Sequence, residues 1–473
     1  MQKKLIALLM SVLMIIGMCS LAGCGGAKNT TNAFVVPESG FNPDETVEIT
    51  FTHTMGKNLQ EVLDRYIVEF NKIYPNIKIT HKSAGGWGDI NGQINTEIAG
   101  GNQPNIAYCY PDHVAMYNIA KSVVILDNLI ASEIVIPGTN EVLGLTAEQK
   151  ADFVESYYNE GKVYGDDLMY TMPLSKSTEA MFYNKTFFDK NGLKVPTTWD
   201  ELWTVCEQIK ALDANCYPLG YDAEDNWFIT LCEQMQSGYT SAENGGQYLF
   251  NNDQNKAMMK TLREKYQKGY FTTQELYGSY TSNLFVETTD MHSYMSIGST
   301  GGTQHQTSNK DTADGSFAFE VGVAPIPQFD QNNRKVISQG PSLCILKGSK
   351  TTDQQIMASW LFTKFLCTNV EFQAEFSMTS GYMPVINSVV DNSAYASWLN
   401  SANGYENLVA TAVKMGIENR NDYFVSPAFK GSSQARAQVG DLLMKCLVNE
   451  ASDEAALNSM IDAAFATAID ECE

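Results

Sequence analysis

The segment between residues 47 and 79 carries the pattern that most restricts the fold. Apolar and polar side chains alternate over residues 47–51, which predicts a strand. Apolar side chains then recur at helical spacing over residues 59–70, Pro75 ends that pattern, and alternation returns over residues 77–79. A strand, a helix and a second strand in this order are expected to form a parallel, right-handed unit. The chain is therefore predicted to have an α/β fold.

Later segments repeat the same mixture of helices and strands. A second helix is predicted over residues 93–99, where Gly100-Gly101 ends it, before a short apolar strand at residues 106–110. Thr198 and Glu201 form a capping box that begins another helix, and Trp199 beside them is interpreted as a packing residue. The Ala-rich residues 452–469 predict an amphipathic helix.

The first residues have the features of an export signal. Two lysines precede an apolar run over residues 5–18, which ends in Leu21-Ala22-Gly23-Cys24. Residues 1–23 are therefore predicted to be a signal peptide. The tetrapeptide resembles the bacterial lipobox, which implies a lipid on Cys24 and a flexible lipid-anchored leader over residues 24–45. The alternative is a transmembrane anchor with a chance cysteine, although such anchors lack a small-residue cleavage site.

Length and charge restrict the class of protein further. A chain of 473 residues is long enough for two or three cores. Asp and Glu number 54 against 32 Lys and Arg, which gives a formal net charge of −22. A field of this sign repels phosphate backbones, so no nucleic-acid partner is expected. The sequence holds 51 aromatic residues, counted from 23 Tyr, 22 Phe and 6 Trp, and some of them are expected to face a ligand.

The ten cysteines do not suggest a metal site. Cys19 leaves with the signal peptide and Cys24 takes the lipid, so eight cysteines remain. They form no C-x-x-C pair and the five histidines are scattered, so neither a metal nor a cofactor is expected. Most of the cysteines lie in apolar runs, which favours buried free thiols. Cys206 and Cys216 are the one pair considered for a disulfide.

An ordered series of motifs gives the chain its family resemblance. The motifs are PLSKST (173–178), FYNKTFF (182–188), PTTWDEL (196–202), GPSL (340–343) and TSGYMPV (379–385). This series resembles the family 1 extracellular solute-binding proteins of bacterial ABC importers. The resemblance implies a type II periplasmic-binding-protein fold with two discontinuous α/β lobes that close at a hinge. Lobe 1 is predicted over residues 46–160 and 320–375, and lobe 2 over residues 161–319 and 376–473.

Within that family, the chain most resembles the glycerol-3-phosphate-binding branch. The resemblance implies ligand contacts at Ser177, Ser299, Gly340, Tyr382 and Arg436. Two positions depart from the branch, because Trp87 replaces a tyrosine and Pro111 replaces a glutamate that binds the glycerol hydroxyls. Asp112 is the nearest substitute for that glutamate. The loop at residues 298–302 is Gly-Ser-Thr-Gly-Gly, whose amides and hydroxyls suit a ligand, but it lacks the lysine of a nucleotide-binding P-loop.

These observations predict a lipid-anchored receptor on the outer face of the cell membrane. We expect it to act as a monomer, to capture a carbohydrate or related polyol, and to deliver it to the membrane subunits of an ABC permease. Glycerol-3-phosphate or a glycerophosphodiester is the alternative ligand. A surface glycosidase and an adhesin are more distant alternatives. No catalytic residue is predicted, since the sequence lacks G-x-S-x-G and H-E-x-x-H motifs, although its many carboxylates leave a glycosidase pair open.

Overall fold

A computed structural model describes residues 33–287, 291–308, 318–401 and 407–472. The predicted signal peptide (1–23) and Cys24 lie outside the described residues. The predicted flexible leader (24–45) is described from residue 33 onward, and this part is packed against the protein. Phe41 is fully buried and Phe34 is nearly so, and the backbone amide of Asn42 donates to Gln354. The prediction of a flexible leader is therefore wrong for this described stretch, because its two aromatic rings join a core.

The described residues form a mixed α/β structure, as predicted. The strands are β1 (Val47–His53), β2 (Ile77–Ser83), β3 (Ile106–Cys109), β4 (Met172–Pro173), β5 (Ser177–Asn184), β6 (Tyr217–Tyr221), β7 (Thr240–Ser241), β8 (Gln247–Tyr248), β9 (Phe271–Thr273), β10 (Ser293–Ser299), β11 (Val321–Pro325), β12 (Val336–Gln339), β13 (Ser342–Ile345) and β14 (Tyr423–Phe424).

The helices lie between these strands and after them. They are α1 (Lys57–Ile73), α2 (Trp87–Gly100), α3 (Pro111–Tyr117), α4 (Asp127–Ile130), α5 (Ala147–Asp152), α6 (Glu155–Asn159), α7 (Lys185–Asn191), α8 (Trp199–Leu212), α9 (Glu224–Met235), α10 (Asp253–Gln267), α11 (Gln274–Tyr277), α12 (Thr281–Val286), α13 (Asp353–Thr368), α14 (Val370–Ser380), α15 (Ser393–Asn400), α16 (Leu408–Glu418), α17 (Ser432–Val448) and α18 (Glu454–Asp470). Short 3₁₀ turns are Asn118–Ala120, Glu160–Lys162, Glu243–Gly245, Thr300–Gln306, Asn387–Asp391 and Arg420–Asp422.

The first sheet contains the predicted strand–helix–strand unit. Its order in the described chain is β2-β1-β3-β13-β4. Strand β1 runs parallel to β2, with Val47 opposite Ile77, and parallel to β3. Strand β13 is antiparallel to both β3 and β4. The sequence predicted the parallel pairing at the start of this sheet. It contains no local pattern that predicts the pairing of β13 with β3, because the two strands are far apart in the chain.

The second sheet has the order β14-β12-β5-β10-β6-β9, and β11 also pairs with β5. Strand β5 lies at its centre, antiparallel to β10, β11 and β12. Strand β6 runs parallel to β10 and to β9. This arrangement buries the first six residues of β5, which begin with Ser177.

Helix ends follow the capping signals closely, with one difference. Thr198 and Glu201 cap the start of α8 as predicted, and α18 covers most of the predicted tail helix. Helix α2 begins at Trp87, six residues before the predicted start. The carboxylate of Asp89 accepts the backbone N–H of Gly86 at 2.8 Å, which fixes this start despite a weakly periodic sequence. Gly101 ends the helix in the left-handed region, with φ of 68°.

Within the described ranges, the buried apolar residues form two large cores and one small cluster. The first core takes residues from 34–174 and 343–395, and the second takes residues from 181–337 and 435–472. Each core thus draws on separated stretches of the chain. Residues 168–174 and 385–395 pack in the first core and residues 326–337 in the second, although the predicted lobe limits place them in the opposite lobe. Pairing explains this, because β4 joins β13, β12 joins β5, and Ile386 forms a bridge with Phe153.

Several side-chain predictions can be compared with the structure directly. Trp199 is buried, and its indole N–H donates to Gln234 at 2.8 Å, so its role is packing. Cys206 and Cys216 are buried free thiols, so the disulfide considered for them is not formed. Throughout the described ranges, no helix is long and apolar enough to cross a membrane. The same ranges hold no group of three or more His, Cys, Asp or Glu side chains that could hold a metal ion.

Candidate ligand-binding site

A cleft of about 950 Å³ is lined by helix starts that follow strands of the first sheet and by residues of the second sheet and its helices. The start of α2 and the start of α3 line it on the side of the first sheet. Strand β5, the end of β10 and the start of α9 line it on the side of the second sheet. This volume lies within the usual range for a small-molecule pocket.

The cleft brings together six of the seven positions predicted to contact a ligand. These are Trp87, Asp112, Ser177, Ser299, Tyr382 and Arg436. They come from separate regions of the chain, so only the fold makes them neighbours. Their roles in binding stay predictions, but their common location is a finding.

Gly340, the seventh predicted position, is not among the residues that line the cleft. Its φ of +104° lies in the left-handed region, and an added Cβ would stand 2.6 Å from the carbonyl oxygen of Ser175. The same Cβ would be 2.8 Å from the Cα of Lys176. Gly340 therefore allows close backbone packing beside the start of β5.

Trp87 belongs to an aromatic stack at the cleft wall. Its ring is half-buried and stacks on Tyr110, with ring centroids 4.0 Å apart and an interplanar angle of 18°. Tyr108 is near-parallel to Trp87 at 5.9 Å. Sequence reasoning missed Tyr110 as a cleft residue. Tyr110 comes directly after a buried strand and directly before Pro111, the first residue of α3. This position between a strand and a helix start is the signal that could have found it.

Tyr382 lies against the glycine-containing loop that the sequence analysis singled out. A Cβ on Gly301 would be 2.7 Å from the Tyr382 ring, so Gly301 makes room for that ring. The Ser299 hydroxyl accepts the backbone N–H of Gly301 at 3.2 Å and begins the 3₁₀ turn. The loop thus uses glycine and a serine cap to hold the tyrosine at the cleft.

Arg436 is held by acidic groups on both sides of the cleft. Its Nε donates to Oδ2 of Asp112 at 3.0 Å and its Nη1 to Oδ2 of Asp225 at 3.2 Å. Its Nη1 also donates to the side-chain oxygen of Asn226. Burial disfavours the charge of Arg436, but the two carboxylates outweigh burial and keep its pKa above the ordinary value.

Asp112 is correspondingly ionised. Burial alone would raise the pKa of this carboxyl, but Arg436 and His113 together with hydrogen bonds hold it below the ordinary value. The carboxylate predicted to bind ligand hydroxyls therefore already accepts a hydrogen bond from the predicted ligand arginine. The sequence, read position by position, could not show this pairing.

The cleft also contains carboxyl groups that sequence reasoning missed. Glu160, Glu179, Asp222 and Asp225 all line it. Glu160 pairs with the fully buried Lys176, with 2.5 Å between Oε1 and Nζ. Asp222 accepts both the backbone N–H and the hydroxyl of Thr281, at 2.7 and 2.8 Å. Glu179 follows Ser177 by two residues on β5, so the two side chains lie on the same face of the strand. The two-residue period of a strand is the signal that could have found Glu179.

The comparison with protein families agrees with this fold and cleft. Residues 65–403 match the family described as bacterial extracellular solute-binding protein. The match covers more than half of the chain, and the chain belongs to this family. The resemblance stated from the motifs is thus confirmed at the level of the family.

Two curated relatives show how far the similarity extends. The chain is 23% identical over 363 residues to the sn-glycerol-3-phosphate-binding periplasmic protein UgpB of Yersinia pestis, covering 73% of this chain and 75% of that protein. It is 24% identical over 180 residues to the multiple sugar-binding protein of Streptococcus mutans. That second match spans 38% of this chain and only 37% of the relative.

Solved structures confirm the predicted fold class. An ABC substrate-binding protein of Listeria monocytogenes, solved in complex with cycloalternan, matches with a TM-score of 0.68 at 18% identity. The match covers 89% of this chain and 99% of that one. The fold is that of the type II periplasmic binding proteins.

Proposed function

We propose that this protein is the receptor of a bacterial ABC importer and that its cleft captures a neutral carbohydrate or polyol. The observation that carries the choice of ligand is the double ion pair of Arg436 with Asp112 and Asp225. An arginine that binds a phosphate needs its planar set of donors free for the phosphate oxygens. Here two of its nitrogens already donate to carboxylates.

The charge of the cleft supports the same choice. Five carboxyl residues line it, namely Asp112, Glu160, Glu179, Asp222 and Asp225, whereas Arg436 is the one Lys or Arg among its described lining residues. Lys176 behind the wall balances Glu160. Asp112, Asp222 and Asp225 still outnumber Arg436, so a phosphate would approach an excess of negative charge at short range, which is unfavourable in a partly desolvated site. A neutral polyol has hydroxyls that donate to carboxylates without this penalty.

The aromatic side chains supply the other half of a sugar site. Trp87 and Tyr110 form one continuous stacked surface, and Tyr382 also lines the cleft. The C–H faces of a sugar ring are apolar and cover such surfaces well. The Listeria monocytogenes relative was solved in complex with cycloalternan, and the Streptococcus mutans relative is named a multiple sugar-binding protein. Both relatives support a saccharide as the ligand of this cleft.

Glycerol-3-phosphate is the second candidate ligand. The Yersinia relative supports it, because the similarity extends over most of both chains. Ser177, Ser299 and Tyr382 also line the cleft, and the resemblance to that branch implies ligand contacts at these positions. Arg436 could bind an anion only through Nη2 or by exchanging a carboxylate for phosphate, and we therefore rank this ligand second.

We further propose that the chain is a binding protein without catalytic activity and that it acts as a monomer with the membrane subunits of a permease. Family membership supports this role, as its name describes solute binding. The export signal and the lipobox-like Leu21-Ala22-Gly23-Cys24 support a lipid anchor on the outer face of the membrane. Incubation with oligosaccharides followed by product analysis tests the absence of glycosidase activity, and released sugar would contradict it.

A binding screen with thermal unfolding and calorimetry tests the proposed ligand class. The probes are maltotriose, cellotriose, xylotriose, raffinose and sn-glycerol 3-phosphate. At a concentration 100 times its Kd, a bound ligand should add about 2.7 kcal/mol to stability. We expect a saccharide to raise the melting temperature more than the phosphate does. Tighter binding of the phosphate would instead establish the second candidate.

A further inference from the structure

Glu179 occupies a buried position in the wall of the cleft. It lies on β5 two residues after Ser177, so both side chains are on one face of the strand, and both line the cleft. Strand β10 places Ser299 directly opposite Glu179 in the antiparallel register. Glu179 is only 2% exposed. It is therefore held in a fixed position among residues predicted to contact the ligand.

One carboxyl oxygen of Glu179 has a partner and the other has none. Oε2 accepts the hydroxyl of Tyr221 at 2.6 Å, and the Tyr221 ring stacks on Trp227 with centroids 4.3 Å apart. Oε1 is buried and has no hydrogen-bond partner in the described part of the chain. A buried polar atom left without a partner is costly, so the free energy of the site favours a ligand that reaches it.

Gln306 provides a second unpartnered acceptor in the same cleft. Its side-chain oxygen is buried without a hydrogen-bond partner among the described residues, and Gln306 lines the cleft. Gly298 opens the space beside it, since a Cβ there would lie 3.1 Å from Oδ2 of Asp222 and 3.5 Å from Nε2 of Gln306. Two unsatisfied polar side chains thus line one cavity where a glycine leaves room.

The surroundings of Glu179 are acidic and buried. The pKa of Glu179 is raised to about 8, because burial, the largest cause, together with the charges of Asp225 and Asp222 outweighs the opposing effects of the Tyr221 hydrogen bond and of Arg436. The carboxyl group is therefore neutral at pH 7, and because Oε2 accepts from Tyr221, the proton belongs on Oε1. An O–H directed from Oε1 can donate to a ligand oxygen.

We infer that Glu179, with Gln306 in the same cleft, determines the specificity of the site by holding one hydroxyl group of a neutral polyhydroxylated ligand. The inference deepens the proposed function and rests on it. Oε1 donates to the hydroxyl oxygen, and the Gln306 oxygen accepts a hydroxyl proton of the same ligand. A ligand without a hydroxyl at this place leaves both groups unsatisfied and binds more weakly.

Calorimetry on three proteins tests this inference. The full chain, its Glu179→Gln variant and its Glu179→Ala variant are titrated from pH 6.5 to pH 9.5 with whichever of the five screening probes the wild type binds. The bound ligand accepts a hydrogen bond that only the neutral carboxyl of Glu179 can donate, so binding favours the neutral form. Wild-type affinity should therefore fall as pH rises through about 8, by about tenfold or more. Glu61→Gln, an exposed position on α1, is the matched control and should behave as the wild type does.

The two variants separate hydrogen bonding from packing. Glu179→Gln keeps a neutral donor of the same shape, so its affinity at pH 7 should stay within about threefold of the wild type and lose its dependence on pH. Glu179→Ala should bind at least about tenfold more weakly. Melting temperatures of both variants report folding, and Glu179→Gln keeps the test valid if Glu179→Ala does not fold.

The outcomes distinguish the inference from the proposed function. If a neutral saccharide binds the wild type and neither variant changes its affinity or pH profile, the inference is wrong and the proposed function stands. If the wild type binds sn-glycerol 3-phosphate more tightly than every saccharide, the selection of a neutral ligand is contradicted. If the wild type binds no probe, the proposed function fails, and the inference fails with it.

Discussion

Arg436 on α17 and Asp112 on α3 form an ion pair, with 3.0 Å between Nε and Oδ2, that joins the two large cores across the cleft. Helix α3 buries Val114 and Tyr117 in the first core, while α17 buries Val439 in the second. Residues separated by 324 positions in the chain thus meet at the site. This contact makes the arginine part of the protein's own structure as well as a candidate ligand group.

The first prediction concerns salt. The charge of Arg436 is already balanced by Asp112 and Asp225. The affinity for a neutral saccharide should therefore change less than about twofold between about 0.05 and 0.5 M NaCl, because salt screens only the attraction of charged ligands. Calorimetry at the two salt concentrations checks this. Arg436→Lys should not create salt dependence, although it loses the planar pair of donors. A phosphate ester that weakens steeply with salt and with Arg436→Lys would support the alternative ligand.

The second prediction concerns stacking. Trp87→Ala should weaken saccharide binding by more than about 1 kcal/mol, the scale of an aromatic contact beyond area burial. Trp398→Ala is the matched control, because Trp398 is also half-buried but does not line the cleft. Calorimetry measures both affinities. An unchanged Kd in folded Trp87→Ala would show that this tryptophan only packs on Tyr110.

The third prediction concerns the stability of the unliganded protein. The pKa of Glu179 rises from 4.5 to about 8 on folding, so the folded state holds more protons than the unfolded state between these pH values. Stability is therefore lost as pH rises through this window. Glu179→Gln removes that loss, so at pH 9 it should be more stable than the wild type by at least about 1.4 kcal/mol, the free energy that corresponds to one pH unit. Urea unfolding at pH 5 and pH 9 measures the difference between the two proteins, which should be small at pH 5.

The fourth prediction concerns His53, which is fully buried at the end of β1. Its Nε2 lies 2.9 Å from Nδ1 of His81, and Nε2 of His81 lies 2.9 Å from Asp64. Burial and His81 lower the pKa of His53 to about 4, against the opposing charge of Asp64.

The folded state therefore holds fewer protons on His53 than the unfolded state does between pH 6.5 and about 4. Stability contributed by this histidine is lost as pH falls through that range. Urea unfolding at pH 7.5 and pH 5 should show a smaller loss for His53→Gln than for the wild type. His305→Gln, at an exposed histidine, should leave the wild-type loss unchanged.

The fifth prediction concerns the anchor. Cys24→Ala should abolish incorporation of radiolabelled lipid and the normal cleavage before residue 24, because it removes the sulfur that the lipobox resemblance assigns to the lipid. Cys206→Ala is a control that should be labelled normally. Lipid incorporation into Cys24→Ala at the wild-type level would contradict the lipobox interpretation.

The sequence predicted those elements that depend on interactions between residues a few positions apart. Alternation and helical spacing predicted β1, α1 and β2, and the Thr198 hydroxyl predicted the start of α8, since these features depend on residues within a few positions. The early start of α2 was missed because a glycine cap and Asp89 determine it, although Ile90 and Ile94 recur at helical spacing and both are buried.

The site was predicted only in part for the same reason. The resemblance brought together six cleft residues, but it could not show that Arg436 and Asp112 pair with each other. Glu179 was missed because its burial and its missing partner follow from strands that arrive later in the chain. Interactions of this kind become visible only when distant segments are placed together.

The pairing of β3 with β13 also has a consequence for how the chain is made. Cys109 on β3 and Ser342 on β13 are opposite each other but 233 residues apart. A ribosome adding about 5–20 residues per second needs on the order of 10 to 50 s to cover that distance. During this delay β3 has β1 on one side and an open hydrogen-bonding edge on the other. Any state of the chain in which β1 and β3 have paired but β13 has not yet arrived therefore exposes an edge that can pair with another chain.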